Sequence, residues 1–520
     1  MAISLTHPSK GESKAYKWVI LANVMITTFM AVLDSTVVNT GLPVIMGTLG
    51  ASMNSAEWIL TGYMLSMATI LSIAGWLSNR YSYRNVFVFA LAVFTFGSLM
   101  CGNSDTIGSL IFWRVIEGIG GGLLMPVGMA IVTSVFPPQQ RGMALGFWAV
   151  ATAASVSFGP MIGGYLVDNF NWNYIFYVNI PIGIFSIVFT IAVQKKFTLE
   201  SKLKFDWPGF LTSATFLPVF LYGLSEVNSS TNPAGWSSPE VMGCMWLAAV
   251  SFVLFIFIEL NVKTPLIALD IFKDKNFAIA NIVVFIFGIA MFGSTFLIPL
   301  YMQDTLGYSA YEAGLIFLPV GLLQAISSPL SGKLCKIIDP RFIIITGLAL
   351  LAYSFFMNVS FSFQTDRSYI LTSLIIRGVG LGILYPPLLT VSLNNITPIQ
   401  MAQASSVTNI VRQIGGSFGV AIFTYLLAER RDFHTQRYSE ALNYSGEKYH
   451  EVINRLSWFY TSEGSVTQID AQSHAKNFII QWIDNEGYIS GINDDFIIGC
   501  AVAAAAIIPV LFLTTKQKTK

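Results

Sequence analysis

Two long apolar runs joined by a short polar segment constrain the fold more than any other stretch of this chain. They occupy residues 107–166, and the polar segment between them is 137–141. An apolar run of about 20 residues is long enough to cross a lipid bilayer as a helix, and a helix satisfies its own backbone hydrogen bonds there. We therefore predict a helical hairpin that crosses the membrane twice.

The first of these runs carries two charged residues, Arg114 and Glu117, inside otherwise apolar sequence. An ionisable side chain in the bilayer costs at least about 2.5 kcal/mol, so both must face protein or water. They are one helical turn apart and can pair on one face.

The second run has small residues on one helical face, which lets another helix approach closely. They recur at i, i+4 spacing as Ala151, Ser155, Gly159 and Gly163. A charged helix beside a helix with a small-residue face predicts a moving interface.

The composition agrees with an all-α polytopic membrane protein. The 520 residues are 54% hydrophobic and 11% charged, with a mean hydropathy of +0.63, whereas soluble proteins are about 25% charged. A net charge of +1 gives no support to nucleic-acid binding. The four cysteines lie in or beside apolar runs, which indicates small core residues rather than disulfides: Cys101, Cys244, Cys335 and Cys500.

Runs of about 20 apolar residues indicate fourteen membrane spans. They lie near 18–38, 56–77, 85–102, 107–135, 142–166, 173–193, 207–224, 240–259, 277–302, 311–331, 342–361, 368–396, 403–428 and 496–514. Most Lys and Arg residues fall in alternate connecting segments, which the positive-inside rule assigns to the cytoplasm. We therefore expect both termini in the cytoplasm.

An internal repeat divides the chain. The sequence 48–50, Thr-Leu-Gly, recurs at 305–307, and 157–159, Ser-Phe-Gly, recurs at 417–419. Two six-helix halves separated by two inserted helices explain this pattern, with a substrate site between the halves. The predicted units are a cytoplasmic tail 1–17, a six-helix bundle 18–193, a linker with two extra spans 194–276, a six-helix bundle 277–514 that includes a periplasmic loop 429–495, and a tail 515–520.

Three motifs resemble those of major facilitator transporters of the fourteen-helix drug:proton antiporter type. They are R-x-x-x-G-x-G at Arg114, Gly118 and Gly120, G-P-x-x-G-G at Gly159, Pro160, Gly163 and Gly164, and 33–39 followed by Pro43. The resemblance is strong in the first half and thin in the second. It implies multidrug efflux across a bacterial inner membrane, driven by the proton gradient without a cofactor. It also implies a periplasmic membrane-fusion adaptor and an outer-membrane channel as possible partners.

The loop 78–84 lies where this family has a cytoplasmic G-x-x-x-D-R-x-G-R-[KR] motif. Gly75, Arg80 and Arg84 match it, whereas Asn79 replaces the acid and Ser82 the second glycine. The departures leave two interpretations open, a latch between helices and a solvated basic turn.

Asp34 is the candidate for the coupling carboxylate. Apolar surroundings on the first span disfavour its charged form, so it can bind a proton from outside and release it inside. A helix cap or a partner for a buried base would also explain it. The resemblance favours coupling.

Glu117 stands where the family usually has Gln. It is either an additional proton carrier or the counter-ion of Arg114, and the usual pairing of intramembrane charges favours the counter-ion.

Polar residues of other spans are candidates for the substrate cavity. Arg377 and Arg412 could compensate Asp34 or an anionic substrate. The remaining candidates are Asn39, Asn281, Gln324, Asn409 and Gln413.

The loop 429–495 contains two segments with apolar residues at helical spacing, around 449–459 and 475–483. They predict amphipathic helices that rest on the outer membrane face, or a docking surface for a periplasmic partner. Its histidines have no metal-ligand spacing, so we expect no metal site.

The sequence contains no phosphate-binding G-x-x-x-x-G-K-[ST] loop and no catalytic triad, so we expect a transporter and not an enzyme. Efflux of small hydrophobic or amphipathic compounds is the first hypothesis. An exporter of one metabolite, such as a siderophore or fatty acid, is an alternative. A receptor or scaffold that no longer transports is another, which the intact motifs disfavour.

Overall fold

The computed structural model describes most of the chain. The described residues are 15–51, 53–195, 205–227, 232, 234–262, 265–267, 269–308, 310–335, 337–397, 400–442, 447–463 and 467–514. The predicted tail 515–520 and most of the tail 1–17 lie outside them.

Within these ranges the fold is helical throughout, without β-strands. The helices are α1 (Tyr16–Leu49), α2 (Met53–Leu71), α3 (Ala74–Tyr81), α4 (Tyr83–Gly102), α5 (Ile107–Val135), α6 (Pro138–Asn169), α7 (Tyr174–Tyr177), α8 (Asn179–Val193), α9 (Trp207–Glu226), α10 (Pro239–Asn261), α11 (Lys275–Leu300), α12 (Ala310–Leu334), α13 (Pro340–Asn358), α14 (Arg367–Leu393), α15 (Met401–Ala441), α16 (Glu447–Glu463), α17 (Gln468–Ala505) and α18 (Ile507–Val510).

The helices coincide with all the predicted apolar runs. Eleven described spans are long and apolar enough to cross a membrane, and a twelfth consists of α2 and α3, which meet at a 54° bend. The remaining two runs form α6 and α9, of 32 and 20 residues, which are long enough to cross but less apolar. The protein is therefore a polytopic, all-α membrane protein.

The same helix pairings occur in both halves of the chain. In the first half α1 packs on α6, and α5 packs on both α2 and α4. In the second half α11 packs on α15, and α14 packs on both α12 and α13. The internal repeat thus corresponds to a repeated packing arrangement. The inserted helices α9 and α10 pair with each other, and α9 also contacts α2 and α15.

The segment 429–495 is a helical extension of two spans. Helix α15 continues to Ala441 and α17 begins at Gln468, while α16 packs on α17. Ion pairs from Arg430 to Asp494 and from Arg431 to Asp484 join α15 to α17.

The predicted amphipathic faces are buried against each other only in part. Ile453 of α16 packs against Ile479 and Ile483 of α17, whereas Phe459, Phe478 and Trp482 of the same faces are exposed. Mutual burial removes the first set from water, and contact of the exposed set with the membrane or with a partner protein stays a prediction.

Candidate functional site

A fully buried charge cluster lies in the first half. The Nη1 atom of Arg114 donates to Asp34 Oδ2 at 2.6 Å and to Glu117 Oε2 at 2.8 Å. All three side chains have no exposed surface. The predicted pairing of Arg114 and Glu117 is observed, and Asp34 joins it from another helix.

The carboxylates are held by hydrogen bonds from neighbouring helices. Asn179 of α8 donates to Asp34 Oδ1 at 3.1 Å and to Ser98 Oγ at 3.0 Å. The Cys101 thiol of α4 donates to Glu117 Oε2 at 3.4 Å. A change in the charge of either carboxylate therefore acts directly on the helices packed around it.

The Arg114 guanidinium is fixed on its other side by α2. Its Nε donates to the Ile59 carbonyl at 3.4 Å, and the guanidinium lies 4.1 Å from the centre of the Tyr63 ring. Such a cation–π contact is strengthened where water is excluded.

Motif glycines allow this close assembly. A Cβ on Gly118 would lie 2.6 Å from the Tyr63 carbonyl oxygen, and one on Gly120 would lie 2.5 Å from the Phe94 nitrogen. Gly97 of α4 has the same role opposite Glu117, whose Cα would be 2.8 Å from an added Cβ. Helices α2 and α4 thus contact α5 backbone to backbone.

The charge balance of the cluster explains what it can do chemically. Among the described residues, only Arg114 forms an ion pair with either carboxylate. One guanidinium balances one carboxylate, and a second buried negative charge is costly without a partner. One bound proton makes the cluster neutral.

The structure rejects one alternative for Asp34. Helix α1 runs without interruption from Tyr16 to Leu49, so Asp34 lies in its interior and caps neither end. Its partner is the buried base Arg114, and the same base is the counter-ion of Glu117.

The small-residue face of α6 packs on α1, inside the same half. The Ser155 hydroxyl donates to the Phe29 carbonyl at 2.9 Å, and a Cβ on Gly159 would lie 2.0 Å from Thr36 Oγ1. The neighbour of this face is therefore a helix of the same half, and movement at this interface stays a prediction. Gly163 is buried, and an added Cβ on Gly164 would meet open space. The side chain of Pro160 lies outside the described part.

The two halves meet through other glycines, which the sequence analysis missed. A Cβ on Gly332 of α12 would lie 2.2 Å from the Gly142 carbonyl oxygen of α6, and one on Gly146 would lie 2.6 Å from the Ser328 oxygen. The small-x-x-x-small spacing of Gly142 and Gly146 was the available signal. These contacts lie at the helix ends predicted to be cytoplasmic.

The motif at 75–84 contributes one residue to the contact between the halves. A Cβ on Gly75 of α3 would lie 2.8 Å from the Gln403 Cγ at the start of α15. Arg80 is exposed, and Arg84 donates to the Ile191 carbonyl within its own half. Neither arginine forms an ion pair with a carboxylate in the described ranges.

The cavity candidates are dispersed, and only Asn409 and Arg412 come together. Arg412 Nη2 lies 3.5 Å from Asn409 Oδ1 and 3.6 Å from the Met125 sulfur of α5. Arg377 donates from Nη2 to the Met291 carbonyl of α11 at 3.1 Å.

The other four candidates are separate from this pair. Asn281 donates to the Phe277 carbonyl of its own helix, and Asn39 is exposed on α1. Gln324 is buried on α12, and Gln413 is half-buried on α15.

A separate apolar cavity of about 520 Å³ lies between the inserted helices and the second half. It is lined by α9, α10, α11 and α15, and Phe220, Phe252 and Phe285 contribute rings. None of the predicted cavity residues lines it.

Comparisons with known proteins agree with this architecture. The family model described as "Major Facilitator Superfamily" matches residues 24–420. The fatty acid resistance protein FarB of Neisseria gonorrhoeae is 30% identical over 97% of this chain and 97% of its own length. The multidrug export protein EmrB of Escherichia coli K12 is 29% identical over 91% of this chain and 90% of its own length.

A solved structure shows the same fold. The crystal structure of the human organic anion transporter MFSD10 superposes with a TM-score of 0.61 at 12% sequence identity, over 95% of this chain and 99% of that one. These matches confirm the resemblance drawn from the motifs. This chain belongs to the Major Facilitator Superfamily, and it is a membrane transporter rather than an enzyme.

Proposed function

We propose that this transporter exports small hydrophobic or amphipathic compounds in exchange for protons. The observation that supports this most directly is the buried cluster of Asp34, Arg114 and Glu117, whose charge balance favours one exchangeable proton. The multidrug relatives support the substrate class.

Alternating access follows from two halves that close at one end. Contacts through Gly142, Gly146 and Gly75 join the halves where cytoplasmic loops are predicted. Separation of these contacts would open the space between the halves at this end. Protonation of the cluster changes the charge inside the first half. It therefore favours one of the two arrangements of the halves, in contact or separated at this end.

The proposed setting is a bacterial inner membrane, with both termini in the cytoplasm and the proton gradient as the energy source without a cofactor. The extension of α15, α16 and α17 then projects into the periplasm. It exposes Trp458 and Trp482, which supports contact with a membrane-fusion adaptor that leads to an outer-membrane channel. Deletion of 443–466 should then weaken efflux across the outer membrane but not transport in proteoliposomes.

The experiment that tests export compares cells with and without the gene in a drug-susceptibility and dye-efflux panel. Resistance to several unrelated compounds supports multidrug export. Resistance confined to one compound supports a dedicated exporter, for which the name of FarB makes fatty acids the first candidates. Binding without movement of any compound would identify a receptor and contradict the proposal.

A further inference from the structure

Three spans of the second half, α11, α14 and the membrane part of α15, carry positive charge without carboxylates. Two buried arginines, Arg377 and Arg412, lie on α14 and α15, whereas the buried Asp495 lies on α17. The sequence has no Asp or Glu within 275–303 or within 367–428, which cover α11, α14 and the membrane part of α15. The first half is the opposite, since its buried cluster has two carboxylates and one guanidinium.

Arg412 has few hydrogen-bond partners. Its side chain is 6% exposed, and its Nε has no hydrogen-bond partner in the described part of the chain. Its contacts to Asn409 and to the Met125 sulfur, at 3.5 and 3.6 Å, are longer than strong hydrogen bonds. No carboxylate among the described residues forms an ion pair with it. An anion from outside the chain would stabilise a buried guanidinium in this state.

The position of Arg412 suits a substrate group. It reaches from α15 of the second half to Met125 on α5 of the first half, so its guanidinium lies where the halves meet. Met125 is two turns along α5 from Glu117, about 12 Å at the rise of an α-helix. Helix α5 therefore contacts both Arg412 and the proton-binding cluster.

We propose that Arg412 binds an anionic group of the transported molecule, so that the substrates are amphipathic anions with a carboxylate, sulfonate or similar headgroup. The proposal rests on the proposed transport function and specifies its substrate class. A planar guanidinium can donate two parallel hydrogen bonds to such an oxyanion, and the Asn409 amide lies beside it. A cationic headgroup would instead be repelled, since no carboxylate is paired with Arg412.

The test measures binding to the purified full-length protein in nanodiscs, without a proton gradient. Three ligands share one alkyl chain and differ in headgroup: decanesulfonate, decyltrimethylammonium and decanol. The first two are permanently charged, so the pH does not alter them. We expect wild type to bind decanesulfonate most tightly. Arg412→Gln should lower that affinity about tenfold or more and leave decanol binding unchanged.

Arg341→Gln is the matched control, because it removes a guanidinium that already pairs with Asp339 at the start of α13. It should not change the preference for the anion. Arg412→Lys keeps the charge and should retain part of the affinity. Preference of wild type for the cation would overturn the proposal, and so would an Arg412→Gln variant that still prefers the anion.

An equal loss of affinity for all three ligands would also overturn the proposal. Such a loss would show that Arg412 does not act on the anionic headgroup in particular. Proton-driven transport by wild type is measured separately in proteoliposomes. Anion binding without gradient-driven transport would contradict the proposed antiport and leave the assignment of Arg412 intact.

Discussion

Gly142 and Gly332 bring the backbones of the two halves into direct contact. A Cβ on Gly332 would lie 2.2 Å from the Gly142 carbonyl oxygen and 2.4 Å from its carbon. Atoms at those distances overlap, so α6 and α12 can meet here only because neither position has a side chain. The two glycines make the closed state at this end sensitive to a single methyl group.

Gly332→Val should therefore hold the halves apart at this end. Spin labels at the exposed positions Gln139 and Ile337 would report a longer distance than in wild type. Gly164→Val on the same α6 is the control, because an added Cβ there meets nothing within 4 Å. An unchanged distance in Gly332→Val would show that α6 and α12 do not meet backbone to backbone at this position.

Asp34→Asn should abolish gradient-driven export while the fold is retained. The asparagine oxygen can still accept the hydrogen bond from Asn179, and Arg114 keeps its ion pair with Glu117. The asparagine side chain cannot bind and release a proton, so the proton gradient cannot drive the transport cycle. Substrate movement in proteoliposomes with an imposed pH gradient is the measurement.

Glu117→Gln is the companion variant, since the family usually has Gln at that position. It should keep coupling, because Asp34 remains to bind and release the proton, but protonation should need a lower outside pH, because the Asp34–Arg114 pair is already neutral. Export that survives in Asp34→Asn but is lost in Glu117→Gln would move the proton site to α5.

Gly159→Leu should destabilise the first half. Its Cβ would overlap Thr36 Oγ1, which lies 2.0 Å away on α1. Overpacking of this kind costs about 1–3 kcal/mol, so the melting temperature in detergent should fall. Thr36→Ala added to it should restore part of the loss. A melting temperature equal to that of wild type would mean that α1 and α6 are not packed here.

Ile479→Ala should loosen the helical extension and leave the spans intact. Ile479 is 9% exposed in the cluster with Ile453 and Ile483, and its truncation costs about 2 kcal/mol. Hydrogen exchange of α16 should become faster. The adjacent Ile480→Ala is the matched control, because Ile480 is 60% exposed. Similar exchange in both variants would contradict the packing of α16 on α17.

Cysteine labelling tests the topology. An impermeant maleimide applied to intact inner-membrane vesicles of known orientation should reach Ser473→Cys and Gln139→Cys from opposite sides; both positions are exposed. Labelling of both from the same side would contradict the predicted orientation.

The spans and part of the cluster were predictable, because they depend on local sequence. Apolar length alone locates the helices, and the spacing of Arg114 and Glu117 fixes their pairing within one helix. The contact of Asp34 with Arg114 joins α1 to α5, and no pattern within either helix determines that pairing.

Interfaces were harder to predict than helices. A small-residue face shows that another helix packs closely on it, but it does not show which helix that is. Gly159 meets α1 of its own half, whereas Gly142, on the same helix, meets α12 of the other. The faces of 449–459 and 475–483 were predicted to rest on the membrane or to bind a partner, and part of each packs on the other. Amphipathic spacing does not distinguish a lipid surface from a neighbouring helix.

Helix α15 is uninterrupted from Met401 to Ala441. A tilt at one point of such a helix displaces its far end. Arg412 lies near one end of it, and the tip at Ala441 is about 43 Å away at 1.5 Å per residue. A tilt of about 5° at Arg412 would swing the tip by roughly 4 Å over that length. A substrate that tilted α15 at Arg412 would therefore also displace the far end of the extension, where another protein could bind.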